Sequence, residues 1–226
     1  MLKNKSNTIC IIPARKNSVR IKNKNLLKIS NKSLVEICIN VAKKSKLFKE
    51  IILSSDSKKI LKIGKKNNIT YLMRKKSLST SSVTTDDVVK DIISDNKYKF
   101  KNIVILQVTS PLRRKKTLIN FINHCIKKNL QSCLSVSTIN DNISEKKKFF
   151  NSINGNVRNS QKRKQYIYEN GLIYFVTKKF FGNNNKIYPK NNWNYFITDK
   201  YESTDINEYK DYLIAKKIYK LKEYDF

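Results

Sequence analysis

The chain has 226 residues, which is the upper end of a single domain and enough for a sizeable hydrophobic core without disulfides or structural metals. A formal net charge of +31 would ordinarily indicate nucleic acid or an anionic membrane surface as the partner. The lysines, however, are scattered through every segment and are not interleaved with aromatic residues in one basic patch. We therefore expect a single domain, residues 1–226, that binds neither nucleic acid nor a membrane.

The cysteines and the amino-terminal segment bear on the compartment. Cys10, Cys38, Cys125 and Cys133 each lie in an apolar segment and form no C-x-x-C pair, so they are predicted to be reduced core thiols. Residues 1–7 are polar and lead directly into an apolar strand, without the pattern of a signal peptide. These features favour a cytoplasmic protein.

Strands and helices are predicted to alternate along most of the chain. The apolar runs predict strands at residues 8–13, 50–55, 69–73, 102–108, 132–137, 166–177 and 195–198, of which 102–108 is expected to be central. Helical spacing predicts helices from residue 34, at 57–68, from 85, at 117–128 and at 208–221, with Ser30 or Asn31 as the possible cap of the first. The pattern is typical of a doubly wound α/β sheet, Rossmann-like with three αβα layers, in which ligands bind beyond the carboxyl ends of the strands.

The alternation stops at about Ile139. Residues 139–167 are polar, charged and almost free of period, which predicts either an excursion from the domain or a disordered arm.

The loop after the first strand is dense in cations and amides. It contains Arg15, Lys16, Arg20, Lys22 and Lys24, together with the hydrogen-bonding side chains of Asn17, Ser18, Asn23 and Asn25. Such a loop suits a triphosphate, although a solvated surface loop in a lysine-rich protein would look the same. It is neither a Walker A sequence nor a glycine-rich dinucleotide motif.

Several motifs together resemble the acylneuraminate cytidylyltransferases, also called CMP-sialic acid synthetases. The first is Pro13-Ala14-Arg15-x-x-Ser18 followed by Lys24-Asn25-Leu26. The others follow in the family's order over nearly the whole chain: Ser54-Ser55-Asp56, the segment from Arg74, Leu106 to Arg113 (LQVTSPLR), Tyr168-Glu169-Asn170-Gly171, and Ser203 to Asn207 (STDIN). The resemblance implies a GT-A-like nucleotidyltransferase.

The reaction implied by the resemblance joins CTP and an acidic nine-carbon keto-sugar to give the CMP-sugar and pyrophosphate, with Mg²⁺ as cofactor. Such a product would feed lipopolysaccharide, capsule or other glycan synthesis. The hydroxyl at the anomeric carbon attacks the α-phosphorus in line, so catalysis is mostly positioning and neutralisation of charge.

The resemblance also implies the role of individual residues. Arg15 and Lys24 would hold the phosphates, and the nucleotide would further contact Ala14, Ser18, Asn25, Arg74, Thr85 and Gln107. Gln107, Tyr168 and Asn170 would contact the sugar, and Asp205 and Asn207 would bind Mg²⁺. Arg15, Lys24, Gln107 and Asp205 are the expected catalytic residues.

Plainer interpretations exist for some of these residues. Gln107 could simply end a strand, and Asp205 could cap the helix that begins near Glu208. The segment 109–111 could be an ordinary turn. His124 is flanked by apolar residues and is expected to be structural, so no histidine base is assigned.

The chain departs from the family pattern at four places. Val19 stands where a lysine is usual, Ser81 where an acidic residue is usual, and Asn207 where a second aspartate is usual. Arg158 and Arg163 are displaced candidates for an arginine-rich segment. Two other functions therefore stay open: a nucleotidyltransferase that uses GTP or another sugar acid, and a catalytically weakened paralogue that binds nucleotide.

A homodimer is also implied by the resemblance. The excursion would cross to the partner and complete its sugar pocket. Phe149, Phe150 and Ile153 are apolar residues in a polar arm and need a covering surface.

Overall fold

The computed structural model describes residues 7–18, 20–94, 98–139, 144–145, 148–149 and 165–221. The strands are β1 (Thr8–Pro13), β2 (Lys28–Ile29), β3 (Lys32–Ser33), β4 (Glu50–Ser55), β5 (Thr70–Met73), β6 (Asn102–Leu106), β7 (Ser132–Ile139), β8 (Ser144–Glu145), β9 (Lys148–Phe149), β10 (Tyr166–Thr177) and β11 (Tyr195–Ile197). The helices are α1 (Leu34–Ser45), α2 (Lys58–Lys66), α3 (Thr85–Ser94), α4 (Lys115–Lys127), α5 (Lys178–Asn184) and α6 (Tyr209–Tyr219), with 3-10 turns at Lys24–Leu26 and Lys76–Ser79.

A seven-stranded sheet with the order β11-β7-β10-β6-β1-β4-β5 organises the described residues. The expected central strand, β6, is the middle one, and it ends at Leu106, two residues earlier than expected. Because the strand stops there, Gln107 belongs to the loop at the carboxyl edge of the sheet.

The sheet is mixed, which the simple alternation of elements did not indicate. Strand β10 runs antiparallel to both of its neighbours, β6 and β7, whereas β1 is parallel to β4 and β6. Because β10 runs opposite to β6, the amino-terminal end of β10 lies at the same edge as the carboxyl ends of the parallel strands.

Helices cover both faces of the sheet, as predicted for three layers. Alternate residues of β1 point to opposite faces, so that Cys10 and Ile12 pack into the cluster beneath α1, α4 and α6. Ile9 and Ile11 pack into the other cluster, beneath α3 and α5. Each fully buried side chain of this kind contributes about 1.5–3 kcal/mol, so the sheet is a rigid support for the loops at its edges.

The first helix begins differently from the prediction. Ser30 and Asn31 have φ values of 47° and 66°, which is the conformation of a tight hairpin turn between β2 and β3. Ser33 is the actual cap, and it forms a capping box with Glu36. The expected caps were wrong because the hairpin was not recognised.

Several predictions fall outside the described residues. These are the ones that concern Val19, Phe150, Ile153, Arg158 and Arg163, together with the side chain of Phe149 and most of the excursion. Of that segment the structure describes the short antiparallel pair β8 and β9. Among the described residues, no helix is both long and apolar enough to cross a bilayer.

Candidate active site

A cavity of about 580 Å³ lies at the carboxyl edge of the sheet, between the loop after β1, the Ser/Thr-rich loop before α3 and the end of β6. Seven of the predicted nucleotide-binding residues line it: Arg15, Ser18, Lys24, Asn25, Arg74, Thr85 and Gln107. The eighth, Ala14, is buried behind the wall, where its N–H donates to the Ser54 carbonyl at 2.9 Å. The walls carry four cations, including Arg20, and no carboxylate among the described residues that line them.

The loop after β1 is held in place by its own polar groups. The Asn25 amide donates to the Arg15 carbonyl at 2.9 Å, and the backbone N–H of Lys16 donates to the Asp56 carboxylate at 2.6 Å. Arg15 also donates to the Thr80 carbonyl at 3.2 Å, which links the loop to the segment before α3. Lys22 is exposed and does not line the cavity.

Lys24 is a buried cation of the site. It is only 9% exposed, and its Nζ donates to the Ile206 carbonyl at 2.7 Å. Burial lowers the pKa of Lys24; the charge of Asp205 opposes this shift, and the charges of Arg20 and Arg15 add to it. A partly dehydrated ammonium among other cations lacks a full counter-charge, and an incoming phosphate would supply it.

Arg74 has a structural task in addition to lining the cavity. It is 7% exposed, and its guanidinium donates to the Ser54 hydroxyl at 3.2 Å and the Ser54 carbonyl at 2.9 Å. Burial lowers the pKa of Arg74, and the negative charge of Asp56 opposes that shift. These bonds fix the start of the Ser/Thr-rich loop to the end of β4.

Gln107 and Thr85 meet across the cavity. The Gln107 amide donates to the Thr85 hydroxyl at 3.3 Å, so the end of β6 and the first turn of α3 are joined. Gln107 thus does more than end a strand. His124 lies elsewhere, edge-to-face against Phe196 at 5.3 Å between ring centroids.

A second cavity, of about 610 Å³, contains the predicted metal and sugar residues Asp205, Asn207, Tyr168 and Asn170. Asp205 does not cap α6, because Glu208 is the cap and Asp211 completes its capping box. One carboxylate oxygen of Asp205, Oδ1, is buried and has no hydrogen-bond partner among the described residues. A buried oxygen of this kind is costly unless a ligand satisfies it.

The two cavities are connected by a short chain of side chains. Arg20 donates to Asn207 Oδ1 at 2.5 Å, and Asn207 Nδ2 donates to Asp205 Oδ2 at 2.7 Å. The backbone N–H of Asn207 donates to Asp211 at 2.9 Å. The pairing of Arg20 with Asn207 was not predictable from the sequence, because 187 positions separate the two residues.

The side-chain amide of Asn170 is buried and forms hydrogen bonds with other residues of the protein. Its Oδ1 accepts from the Ser135 hydroxyl at 2.7 Å and from the Leu172 N–H at 3.1 Å. Its Nδ2 donates to Ser137 and to Thr198, both at 2.8 Å. The neighbouring side chain of Tyr168 is exposed at the same cavity. Contact of either residue with a sugar stays a prediction.

Glu169 lies where the second cavity meets a third one of about 510 Å³. Its two carboxylate oxygens accept from the hydroxyls of Tyr174 at 2.5 Å and Tyr188 at 2.7 Å, and the two tyrosine rings are stacked. Burial and the bond to Glu169 raise the pKa of both tyrosines. The third cavity shares Thr84 and Thr85 with the first, and Glu169 and Tyr174 with the second, so it adjoins both.

Glu169 and Tyr188 were not among the predicted site residues. Glu169 directly precedes the Asn170-Gly171 motif, which was the available signal. Tyr188 offered none, because its segment has no recognisable pattern. It is brought to the site by Asp86 at the start of α3, which accepts hydrogen bonds from the Lys186 ammonium and the Ile187 N–H.

Comparison with known proteins adds independent information. The family model described as "Cytidylyltransferase" matches residues 9–223. N-acylneuraminate cytidylyltransferase of Streptococcus agalactiae serotype III is 38% identical over 108 residues, which are 47% of this chain and 26% of that protein. The chain therefore matches only about a quarter of that curated relative.

Two further similarities extend over nearly the whole chain. CMP-N,N'-diacetyllegionaminic acid synthase of Legionella pneumophila is 28% identical over 234 residues, covering 95% of this chain and 97% of that protein. The solved structure of CMP:2-keto-3-deoxy-manno-octonic acid synthetase complexed with CTP superposes with a TM-score of 0.70 at 16% identity, covering 95% of this chain and 98% of the other. At that identity the superposition establishes the fold alone.

Proposed function

Since the chain belongs to the cytidylyltransferase family, we propose that it transfers CMP from CTP to the anomeric hydroxyl of a nine-carbon 3-deoxy keto-sugar acid, sialic acid or a relative, and releases pyrophosphate. The observation that carries the proposal is the convergence of four chain segments on one cationic cavity. Arg15, Arg74, Thr85 and Gln107, each from a different segment, line it together.

The first cavity suits the triphosphate. Its described wall combines the charges of Arg15, Arg20, Lys24 and Arg74 without a carboxylate. A phosphate beside Lys24 would offset the cost of burying that ammonium, and charge-assisted hydrogen bonds of this kind are about twice as strong as neutral ones. The Gln107 amide, held by Thr85, is an uncharged group that could read hydroxyl and carbonyl groups of the substrates.

The second and third cavities suit the acceptor. Their walls offer tyrosines, carboxylates and lysines rather than a single class of side chain. Glu169 could accept a hydrogen bond from a hydroxyl or amide of the sugar, and Tyr168 is exposed to contact it. Lys200 in the second cavity, and Lys186 and Lys190 in the third, could attract the acid group.

The residues present fit Mg²⁺. The unpartnered, buried Asp205 Oδ1 is a hard oxygen donor of the type that this ion prefers, and Mg²⁺ is commonly bound by one or two carboxylates plus phosphate oxygens and waters. Among the described residues, no group of three or more His, Cys, Asp and Glu could hold a metal without the substrate. When bound, Mg²⁺ would supply positive charge to the phosphates.

The reaction breaks the bond between the α-phosphorus and the bridging oxygen to the β-phosphate. The anomeric oxygen forms the new bond to the α-phosphorus, its proton passes to water, and pyrophosphate leaves with the electron pair of the broken bond. Arg15 and Lys24 would neutralise the charge that grows on the departing phosphates. The cavity walls would hold the two substrates in line, which by itself removes a large entropic part of the barrier.

A pyrophosphate-release assay tests the proposal. Purified protein with Mg²⁺ is given each of the four nucleoside triphosphates and a panel of sugar acids, including sialic, legionaminic, pseudaminic and 3-deoxy-octulosonic acids. We expect turnover with CTP and one of the nine-carbon acids, whereas turnover with 3-deoxy-octulosonic acid, which has eight carbons, would count as turnover with another sugar. Turnover only with GTP or with another sugar would support the first alternative, and nucleotide binding without turnover for any pair would support the weakened paralogue.

The Asp205→Asn variant sharpens this assay. Asparagine keeps the shape and can still accept from Asn207, but it offers no carboxylate to a metal. We expect turnover to fall by about a hundredfold or more, while the thermal unfolding midpoint stays close to that of the wild type. Asp91→Asn, at a surface aspartate paired with Lys75, is the control. Unchanged turnover in Asp205→Asn would remove this residue from the site.

The homodimer completed by the excursion and the cytoplasmic location stay predictions. Sedimentation of the purified chain measures the first directly, and a monomer would contradict it.

A further inference from the structure

Arg20, Asn207 and Asp205 form a linear array from the first cavity to the second. Arg20 lines the first cavity, and Asp205 and Asn207 line the second. The two hydrogen bonds of the array, at 2.5 Å and 2.7 Å, both use the side-chain amide of Asn207. Asn207 therefore couples the cation to the carboxylate.

The orientation of the Asn207 amide is fixed by chemistry. A guanidinium has only donors, and an ionised carboxylate has only acceptors. The carbonyl oxygen of Asn207 must therefore face Arg20, and its NH₂ group must face Asp205. The backbone of Asn207 is held as well, because its N–H donates to the Asp211 carboxylate that completes the capping box of α6.

This orientation limits what Asn207 can do for a cation. Its one side-chain oxygen already accepts from a positive charge, so a metal ion there would have to displace Arg20. Asp205, in contrast, keeps Oδ1 without a described partner. The array thus leaves a single carboxylate oxygen available.

We propose that Arg20 is a further triphosphate-contacting residue of this chain and that Asn207 is a positioning residue, which holds Arg20 and Asp205, rather than a ligand of the divalent cation. The inference rests on the proposed nucleotide site. It explains the role of the asparagine at position 207, where an aspartate is usual in the family that the chain resembles.

The position of Arg20 supports phosphate contact. Its side chain is exposed on the wall of the cavity that also holds Arg15 and Lys24. The only hydrogen bond described for its guanidinium goes to a neutral amide. A guanidinium has five N–H donors. Arg20 can therefore keep its hydrogen bond to Asn207 and donate charge-assisted hydrogen bonds to a phosphate from its other N–H groups.

An asparagine at position 207 also explains how Asp205 is held before any cation binds. An aspartate at this position would bring two carboxylates within hydrogen-bonding distance, and such like charges disfavour each other strongly. The asparagine NH₂ instead donates to Asp205. The carboxylate is therefore in place whether or not a metal is present.

Inorganic tripolyphosphate, measured by calorimetry in EDTA, tests Arg20 without the base, the sugar or the metal. We expect the wild type to bind it and Arg20→Ala to bind it about tenfold more weakly. Lys22→Ala removes the same charge from the same loop but away from the cavity wall, and it is expected to stay within about threefold of the wild type. Equal binding by Arg20→Ala and Lys22→Ala would overturn the assignment of Arg20.

Binding of Mn²⁺ to the protein, measured by electron paramagnetic resonance in the presence of tripolyphosphate, tests Asn207, because the ion needs phosphate oxygens in addition to one carboxylate. We expect Asn207→Ala to retain most of the wild-type Mn²⁺ binding, Asp205→Asn to lose it, and Asn207→Asp to bind Mn²⁺ about tenfold more tightly because it adds a carboxylate. If Asn207→Ala loses Mn²⁺ binding as completely as Asp205→Asn, Asn207 is a ligand and the proposal fails.

These measurements are separable from the proposed function. A wild type that binds tripolyphosphate and Mn²⁺ but turns over no sugar acid would contradict the reaction and leave the array intact. Normal turnover together with identical tripolyphosphate binding by Arg20→Ala and Lys22→Ala would support the reaction and contradict the role of Arg20.

Discussion

The guanidinium of Arg113 donates a hydrogen bond of 2.7 Å to the backbone carbonyl of Gln107. The same side chain donates to the Leu172 carbonyl at 2.8 and 3.1 Å, and it is 1% exposed. Among the described residues, Arg113 forms no ion pair with a carboxylate. A buried cation thus joins β6 to β10 directly behind the candidate site.

Replacement of Arg113 by methionine should destabilise the protein. Methionine fills much of the volume, but it leaves the carbonyls of Gln107 and Leu172 without their donor, and each unsatisfied buried acceptor costs about 1–3 kcal/mol. We expect the free energy of unfolding in urea to fall by about 2–5 kcal/mol. Lys115→Met, at an exposed residue of the neighbouring helix, is the control, and equal midpoints for the two variants would contradict this account.

The bond between Thr85 and Gln107 should matter for turnover. Thr85→Val keeps the shape of the side chain and removes the hydroxyl, so the Gln107 amide loses its described partner and gains freedom to rotate. We expect kcat/KM for the nucleotide to fall by about tenfold. Thr85→Ser should restore most of it, and a Thr85→Val enzyme with wild-type kinetics would show that the contact is incidental.

The stability contribution of Lys24 should depend on pH. Its pKa is lowered in the folded protein, chiefly by burial, so between the folded and unfolded pKa values the unfolded chain binds more protons. Stability therefore rises with pH through this window, as the penalty of burying the charged form is relieved. We expect the wild type to gain stability relative to Lys24→Met as the pH increases from 7 towards about 10.4, the ordinary lysine value.

Urea unfolding at four or five pH values measures this difference. Lys22→Met, which removes an exposed lysine of the same loop, provides the reference curve. If the free energy of unfolding of the wild type, relative to that of Lys24→Met, stays constant or falls as the pH rises, the direction of the pKa shift is wrong.

Replacement of Glu169 should change the KM of the acceptor and leave the KM of the nucleotide nearly unchanged. Glu169→Gln can keep a hydrogen bond with Tyr174 or Tyr188 but removes the charge at the junction of the second and third cavities. If the acceptor lies there, as proposed, we expect its KM to change by about tenfold while the KM of CTP changes little. Tyr188→Phe removes one partner without removing the charge, and it is expected to have the smaller effect.

Much of the first cavity, where we propose that the nucleotide binds, was predictable from the sequence, because it is encoded locally. The strand 8–13 was predicted with its observed bounds, and a strand that ends in a loop at the carboxyl edge brings its following residues to the ligand. The motif residues Arg15, Lys24 and Gln107 accordingly meet around one cavity. No pairing information was needed for this step.

The remainder depended on contacts between distant segments, which a periodic pattern does not contain. The insertion of β10 between β6 and β7 determines where Glu169 lies. The apolar run of β10 does not predict which strands are its neighbours in the sheet. The bond from Arg20 to Asn207 is of the same kind. Ser30 and Asn31 failed as caps for a local reason, since turn residues and cap residues have the same chemistry.

The antiparallel direction of β10 has an evolutionary consequence. Residues up to about position 110 supply most of the nucleotide wall, and Glu169 and Tyr188 reach the site from a later part of the chain that enters the sheet in the opposite sense. If the acceptor lies at the start of β10, as proposed, substitutions there would alter the acceptor side while the cationic wall keeps its geometry. A lineage with this architecture would then change its acceptor without rebuilding the cationic wall.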